Sequence, residues 1–183
     1  MRKKILFIPV AGFVASVSFA SLLLGAAPVG ATPLDTAARQ VQATAHAVGP
    51  ARFTAPDFRP GTIRHMVMFR FKPHVTPAER GDVTKHFVAL ARQSHRPDGT
   101  AVVASIEAGP QISGENADMG LEQGYLVTFR SEGDRNFYVG RPIVTDPRYF
   151  DPAHDAFKSF AGPYLERVVV FDFPIQATSQ ASM

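Results

Sequence analysis

Two histidines stand in contexts where an imidazole could do acid–base chemistry. His65 lies in the run Ile63–Lys72, where apolar side chains alternate with others, and it falls among the apolar ones. His154 lies in a segment, residues 151–157, with the sequence Asp-Pro-Ala-His-Asp-Ala-Phe. Imidazole has an ordinary pKa of about 6.5, so it can take or give a proton near neutral pH. Whether the two rings meet in one cavity is the main functional question that the sequence poses.

The run around His65 predicts a β-strand with one apolar face. Successive side chains of a strand point to opposite faces. One face would therefore carry Ile63, His65, Val67, Phe69 and Phe71. A buried imidazole needs a hydrogen-bond partner, because leaving it unpaired costs about 1–3 kcal/mol. His65 is thus expected either to face a cavity shared with His154 or to be a core residue with a satisfied hydrogen bond.

His154 is predicted to lie on a helix that Asp151 caps, with Pro152 at its first position and its end near Ala161. Phe150, His154, Phe157 and Ala161 follow helical spacing, which turns His154 inward. A pocket position therefore competes with an exposed or supporting hydrogen-bonding role near the helix start.

The elements that must position these residues follow from apolar periodicity and turn signals. A helix begins at Thr76, with Glu79 completing a capping box, and its apolar stripe contains Val83, Phe87, Leu90 and Ala91. A short helix after residues 131–134 carries Phe137 and Tyr138, and an irregular stretch, 140–150, follows. Further strands are predicted over 101–108, 121–130 and 165–173.

This order of elements predicts an α+β fold of the ferredoxin-like βαββαβ type, an antiparallel sheet with helices on one face. Both sheet faces are partly apolar: Met66 and Met68 oppose Val67 and Phe69 in the first strand. The second face needs a cover, and a second copy of the same sheet is the simplest one. We therefore expect a homodimer in which residues 63–174 form a dimeric α/β barrel.

The two ends of the chain are expected to lie outside this domain. Residues 1–31 have three bases, a long apolar stretch and the small residues Val29-Gly30-Ala31, which predicts a cleaved signal peptide and export. An uncleaved membrane anchor is the alternative; after cleavage no stable membrane insertion is expected. Residues 32–62, in which 34–48 could form a weak helix, are predicted to be a flexible tether or an arm on a partner subunit, and 175–183 a disordered tail.

Charge, cysteine content and histidine spacing give no support for a nucleic-acid partner, disulfides or a metal site. The chain has a formal net charge of +3, but residues 1–31 hold three bases and no acids, so 16 bases and 16 acids remain beyond them. A neutral domain gives no electrostatic argument for nucleic-acid binding. With no cysteine, the core alone must hold the fold. No histidine pair matches a strong zinc spacing, and no further ligand signature supports a haem or other planar ligand, so no metal or other cofactor is predicted.

Four segments together resemble the stress-responsive dimeric α/β-barrel (Dabb) domain family. They are the histidine strand, Glu107–Pro110, the Pro-Ala-His helix start and the last strand, within about residues 63–173. The resemblance implies a ferredoxin-like monomer that dimerises sheet to sheet. Within this family the chain is similar to plant polyketide cyclases of the type that forms olivetolic acid. In those enzymes two histidines act in an aldol-type cyclisation.

The resemblance implies roles for three residues of this chain. The catalytic histidines would be His65 and His154, and an assisting tyrosine would be Tyr138, with Tyr149 as the alternative. The chain departs from the family pattern at Asp151, where a histidine usually stands, and in the inserted stretch 140–150.

Two hypotheses for function follow. The first is an exported barrel that binds a small apolar or aromatic molecule in a histidine-lined pocket and carries out lyase or cyclase chemistry on it. The second is a non-catalytic stress-response or interaction module whose histidines serve packing.

Overall fold

The computed structural model describes residues 34–176 and residue 178. The predicted signal peptide, residues 1–31, lies outside them, as does most of the predicted tail, 175–183. Along residues 34–176 the helices are α1 (Thr36–Phe53), α2 (Pro77–Gln93), α3 (Glu132–Val139) and α4 (Pro152–Ala161), and the strands are β1 (Pro60–Phe71), β2 (Ser105–Pro110), β3 (Gln123–Ser131) and β4 (Leu165–Pro174). In this part of the chain no helix is both long and apolar enough to cross a bilayer.

The four strands form one antiparallel sheet in the order β2-β3-β1-β4. This is the ferredoxin-like order, and it confirms the predicted fold class. β1 lies in the middle of the sheet, so its residues 63–69 have a paired neighbour on both sides. His65 is paired in register with Val127 on β3 and with Asp172 on β4.

The predicted alternation of β1 is confirmed by burial. Ile63, His65, Val67, Phe69 and Phe71 are each at most 4% exposed. We call this face of the sheet the inner face, because α2, α3 and α4 pack over it. The intervening residues, among them Met66 and Met68, are half-buried and belong to the outer face, which none of the helices within residues 34–176 covers.

Local capping chemistry fixes where two of the covering helices, α2 and α4, begin. The Thr76 side chain accepts a hydrogen bond from the Glu79 backbone N–H, and the Glu79 carboxylate accepts one from the Thr76 backbone, as the capping box predicts. At the start of α4 the Asp151 carboxylate accepts from the Ala153 N–H at 2.9 Å. Both helices therefore start where the sequence indicates.

The segment 32–62 differs from the expected tether. α1 occupies much of it, and Phe53 and Phe58 are buried in a second apolar cluster with Val144 and Phe150 of the stretch 140–150. The backbone N–H of Gly133 donates to the Phe58 carbonyl at 3.0 Å. A side chain at position 133 would collide with the carbonyl of Ala55, so glycine allows this close approach.

β2 also differs from its prediction. The strand covers Ser105–Pro110 instead of 101–108, and Val102 and Val103 are buried in the preceding connection. Proline is tolerated at the end of β2 because this edge strand pairs only with β3 and needs no second row of hydrogen bonds.

Candidate functional site

A cavity of about 500 Å³ lies between the inner face of the sheet and α4, and both His65 and His154 line it. It exists because the helices leave the β4 edge of the inner face uncovered. Val168 and Val170 of β4 are 49% and 52% exposed, although they point to the same side as the buried residues of β1. Its apolar walls include Val67, Phe69, Phe87, Phe157, Val168 and Val170.

His65 is held by a carboxylate on the neighbouring strand. Its Nδ1 lies 2.6 Å from Oδ1 of Asp172, its register partner on β4. The other carboxylate oxygen, Oδ2, accepts a hydrogen bond from Arg135 of α3. An ionised carboxylate can only accept, so Nδ1 of His65 carries the hydrogen. Nε2 is left with its lone pair, as in a histidine prepared to act as a base.

The charge state of Asp172 follows from its neighbours. Burial of the carboxyl group opposes ionisation, but the hydrogen bond and electrostatic attraction from His65, together with the positive charge of Arg135, outweigh it, so the pKa of Asp172 lies below its ordinary value. The carboxylate is therefore ionised at neutral pH. It can fix the orientation of the His65 ring and stabilise the ring when it gains a proton.

His154 has a different environment. Its Nδ1 lies 2.7 Å from the carbonyl oxygen of Tyr138, which can only accept, so Nδ1 is again the protonated nitrogen. Burial, with a further contribution from the charge of Lys158, lowers the pKa of His154 to about 3. His154 is therefore neutral at physiological pH, and its Nε2 can accept a hydrogen bond but has none to donate.

Tyr138 lies between the two histidines and is fully buried. Its ring stacks on His154 with centroids 3.9 Å apart and meets His65 edge-on at 6.0 Å. It does not line the cavity, and its hydroxyl has no hydrogen-bond partner. Burial and the nearby Asp151 raise the pKa of the phenol, which keeps it protonated. In this geometry Tyr138 acts on the site as a spacer that orients both imidazole rings.

Tyr149, the alternative tyrosine, is in another part of the molecule. It is the last residue of a 3-10 turn, Pro147–Tyr149, in the stretch 140–150 and packs against the cluster of Phe53, Phe58 and Val144 beside α1. The site therefore contains His65 and His154 at the cavity, Tyr138 behind them, and no contribution from Tyr149.

Three charged residues of the site were not identified from the sequence: Asp172, Arg135 and Lys158. Asp172 had a signal, because Val168, Val170 and Asp172 alternate toward one face, and a carboxylate in that series is as unusual as His65 in β1. Arg135 precedes Tyr138 by one helical turn and carries no such signal. Among the described residues, no group of three or more His, Asp or Glu side chains is arranged to hold a metal ion.

Comparisons with known proteins agree with this fold. The model of the stress responsive A/B barrel domain matches residues 63–175. The protein At3g17210 from Arabidopsis thaliana is 21% identical with a TM-score of 0.52, and the match covers 64% of this chain and 99% of that one. A hydroxynitrile lyase from Passiflora edulis is 21% identical with a TM-score of 0.50, covering 66% and 99%.

A dimeric protein of unknown function with a ferredoxin-like fold, from Bacteroides fragilis, is 19% identical with a TM-score of 0.45, covering 64% of this chain and 100% of that one. No curated protein matches the sequence. At these identities the structural likenesses concern the fold alone.

Proposed function

The chain belongs to the stress-responsive A/B barrel domain family, and we propose that it binds a small apolar or aromatic molecule in the cavity of His65 and His154 and acts on it by acid–base chemistry of the lyase or cyclase type. The observation that carries this proposal is the His65–Asp172 pair at an apolar cavity of about 500 Å³. Ligand sites have this character: mostly apolar walls with a few polar groups that orient the ligand.

In the proposed reaction His65 is the general base. Asp172 accepts the Nδ1 hydrogen, so Nε2 can take a proton from a hydroxyl group or an activated carbon of the bound molecule. The imidazolium that forms is stabilised by the ionised carboxylate beside it. The same ring can then return the proton to the product, which balances the step.

His154 has a binding role in this proposal. Because it stays neutral and its Nδ1 hydrogen is committed to the Tyr138 carbonyl, Nε2 accepts a hydrogen bond from the ligand. This favours a molecule with a hydroxyl or N–H group next to its reacting centre. These roles of His65 and His154 differ from those of a simple acid–base pair, in which the second histidine donates a proton to an enolate oxygen.

The proposal is tested with a thermal-shift screen of small aromatic alcohols and ketones on the purified protein. A ligand that binds only the folded state raises the midpoint of unfolding. The variants H65N and H154Q should lose the shift for hits that occupy the cavity. H74Q is the matched control, because His74 is an exposed histidine in the β1–α2 connection and does not line the cavity.

Catalysis is tested on the ketone hits by exchange of carbon-bound hydrogen for deuterium in D2O, followed by NMR. Wild-type protein should accelerate exchange next to the carbonyl, and H65N and D172N should abolish the acceleration. If the hits bind but no exchange is accelerated, the proposed acid–base catalysis is wrong and only the proposed binding remains.

A non-catalytic module is the second candidate, and one observation favours it. Both histidines have a satisfied hydrogen bond, and His154 is stacked on a buried tyrosine, as core histidines commonly are. If no compound shifts the midpoint, and H65N and H154Q only destabilise the fold, this second reading replaces the first.

A homodimer formed through the outer face is part of the proposal. Phe171 of β4 is 60% exposed on this face, and Val169, Met66 and Met68 extend the apolar surface around it. An apolar sheet face of this kind is unusual on a monomer and is covered most simply by a second copy. Sedimentation equilibrium at micromolar concentration should give twice the mass of one chain.

Export is proposed from residues 1–31 alone. Three bases followed by a long apolar stretch and a small-residue site are typical of a signal peptide. Expression of the full chain in a secreting bacterium, with N-terminal sequencing of the exported product, should give a chain that starts near residue 32. Retention of an intact N-terminus in the membrane fraction would favour an anchor.

A further inference from the structure

Positively charged side chains gather at one end of the histidine cavity. Arg141 follows α3, Lys158 lies one turn after His154 on α4, and both line the cavity. We call these two residues the cationic rim. Arg167 of β4 also contributes to the lining of the cavity. The apolar walls therefore end at a region rich in positive charge.

The carboxylates that line the cavity do not neutralise this rim. Asp172 is engaged by His65 and Arg135. Glu166 pairs with Arg70, whose Nε lies 3.2 Å from its carboxylate. Each acid of the cavity is thus already matched with a base of its own. The positive charge of the rim is therefore not balanced by a carboxylate that lines the cavity.

One carboxylate outside the cavity, Asp155, serves both members of the rim, and both contacts are long. Its oxygens lie 3.8 Å from Arg141 and 3.6 Å from Lys158. The Arg141 side chain is 53% exposed and otherwise lies over the Phe150 ring. Two cations therefore share a single anion. The Lys158 ammonium also donates to the carbonyls of Val139 and Arg141, whereas the guanidinium of Arg141 keeps most of its donors free.

The charges of the rim also act on the titration of Lys158 and of its neighbour His154. Burial lowers the pKa of Lys158, and Arg141 lowers it further against the opposing effect of Asp155. The charge of Lys158 also contributes to the low pKa of His154. The positive potential of the rim thus extends to the ring at the centre of the site.

We infer that the cavity takes a molecule with an anionic end, a carboxylate, which lies between Arg141 and Lys158 while the apolar or aromatic body packs against the walls beside His65. Arginine suits this role because its planar guanidinium can hold both oxygens of a carboxylate. The inference rests on the proposed function, since it names the class of ligand for the same cavity.

The test compares two probes of nearly equal shape and different charge, 4-butylbenzoate and 4-butylbenzamide. Binding to the whole protein is measured by isothermal titration calorimetry at pH 7 and low salt. Charge-assisted hydrogen bonds at a partly exposed site predict that the benzoate binds about tenfold more tightly than the amide. Raising the salt concentration should weaken only the benzoate.

Variants assign the effect to the rim. R141Q and K158Q should each reduce the preference for benzoate by about threefold to tenfold and leave the binding of the amide unchanged. R148Q is the matched control: Arg148 lies in the same stretch, is paired with Asp146 at 2.6 Å, and does not line the cavity. Its replacement should change neither affinity.

The outcomes separate this inference from the proposed function. If both probes bind equally well, or if R141Q and K158Q keep the full preference, the anionic end is wrong while the cavity remains a binding site. If neither probe binds, both this inference and the proposed binding of aromatic molecules fail. A preference for benzoate that disappears in the two rim variants and persists in R148Q supports the inference.

Discussion

The two faces of the sheet are built by the same four strands and have opposite properties. On the inner face Phe129 of β3 is fully buried, whereas on the outer face Phe171 of β4 is 60% exposed. The part of the chain that the structure describes supplies helices for the first face and no cover for the second. The comparison teaches that the stability of one chain resides on the inner face, while the outer face is complete only when something else covers it.

The faces also differ in how they treat polar groups. His65 is a polar residue on the covered face, and it has a carboxylate partner within 2.6 Å. On the outer face Arg64 and Arg70 can remain in contact with water, because their side chains are only half-buried. Buried polar side chains on the inner face therefore need hydrogen-bond partners. The His65–Asp172–Arg135 series meets this requirement.

The largest expected effect contrasts the two phenylalanines. F129A should lower the free energy of unfolding by about 3–5 kcal/mol, because it removes a buried ring from a packed core. F171A should change the stability of the dissociated chain by less than about 0.5 kcal/mol. Urea unfolding at low protein concentration measures both. Equal losses at the two positions would show that the outer face is required for the single chain to fold.

The second prediction concerns acid, to which the inner face should be sensitive. The pKa of His154 is about 3 in the folded chain, and it is about 6.5 when unfolded. Between these values the unfolded state binds more protons, so stability falls as the pH is lowered from 6.5 toward 3. Integration gives a loss of about 2 kcal/mol between pH 7.5 and pH 5.

The measurement is the free energy of unfolding in urea at both pH values, for wild type and for H154Q. The variant has no imidazole at this position, so its pH dependence should be smaller by about 2 kcal/mol over the same range. An unchanged pH dependence in H154Q would mean that the ring is not desolvated and that the cavity side of the inner face is wetter than its burial indicates.

A third prediction examines the outer face directly. F171E places a charge in the proposed dimer interface, where it would lose its water, and should weaken association at least about tenfold. Sedimentation equilibrium measures the change. T178E is the control, because Thr178 lies beyond the last strand and is exposed. Dimers of unchanged affinity in F171E would show that the outer face is not the surface of association.

Much of this fold could be predicted because local rules decide it. The alternation of β1, the capping box at Thr76 and the Asp151-Pro152 helix start are all written in adjacent residues, and each is found in the structure. α1 could not be predicted as a packed element, because its own sequence has a weak apolar face. Its position depends on contacts with distant residues, such as Asn136, whose side chain donates to the Phe53 carbonyl at 2.8 Å.

The site was only half predictable for the same reason. His65 and His154 were identified because each falls on the apolar side of its own element. The partner of His65 depends on the register between β1 and β4, which are about a hundred residues apart in the chain, and no local pattern fixes that register. The rim residue Lys158 becomes significant only when the cavity beside it is known.

The smallest expected effect comes from a comparison of two tyrosines in the core at the inner face. The hydroxyl of Tyr138 is buried without a partner, whereas that of Tyr125 lies 2.9 Å from the hydroxyl of Thr84. Y138F removes an unsatisfied polar atom and should leave stability unchanged or raise it by up to about 1 kcal/mol. Y125F breaks a hydrogen bond and should lower stability by about 1 kcal/mol, measured by the same urea titration.

An opposite result would be informative about the interior behind the site. The carboxylate oxygen Oδ2 of Asp151 and the hydroxyl of Ser94 are also buried without a partner. If Y138F destabilises the protein as much as Y125F does, the Tyr138 hydroxyl must be satisfied in solution, and a bound water shared with Asp151 would be the simplest partner. The Tyr138 ring, which lies between the two histidines, would then be held in place by a polar network as well as by stacking.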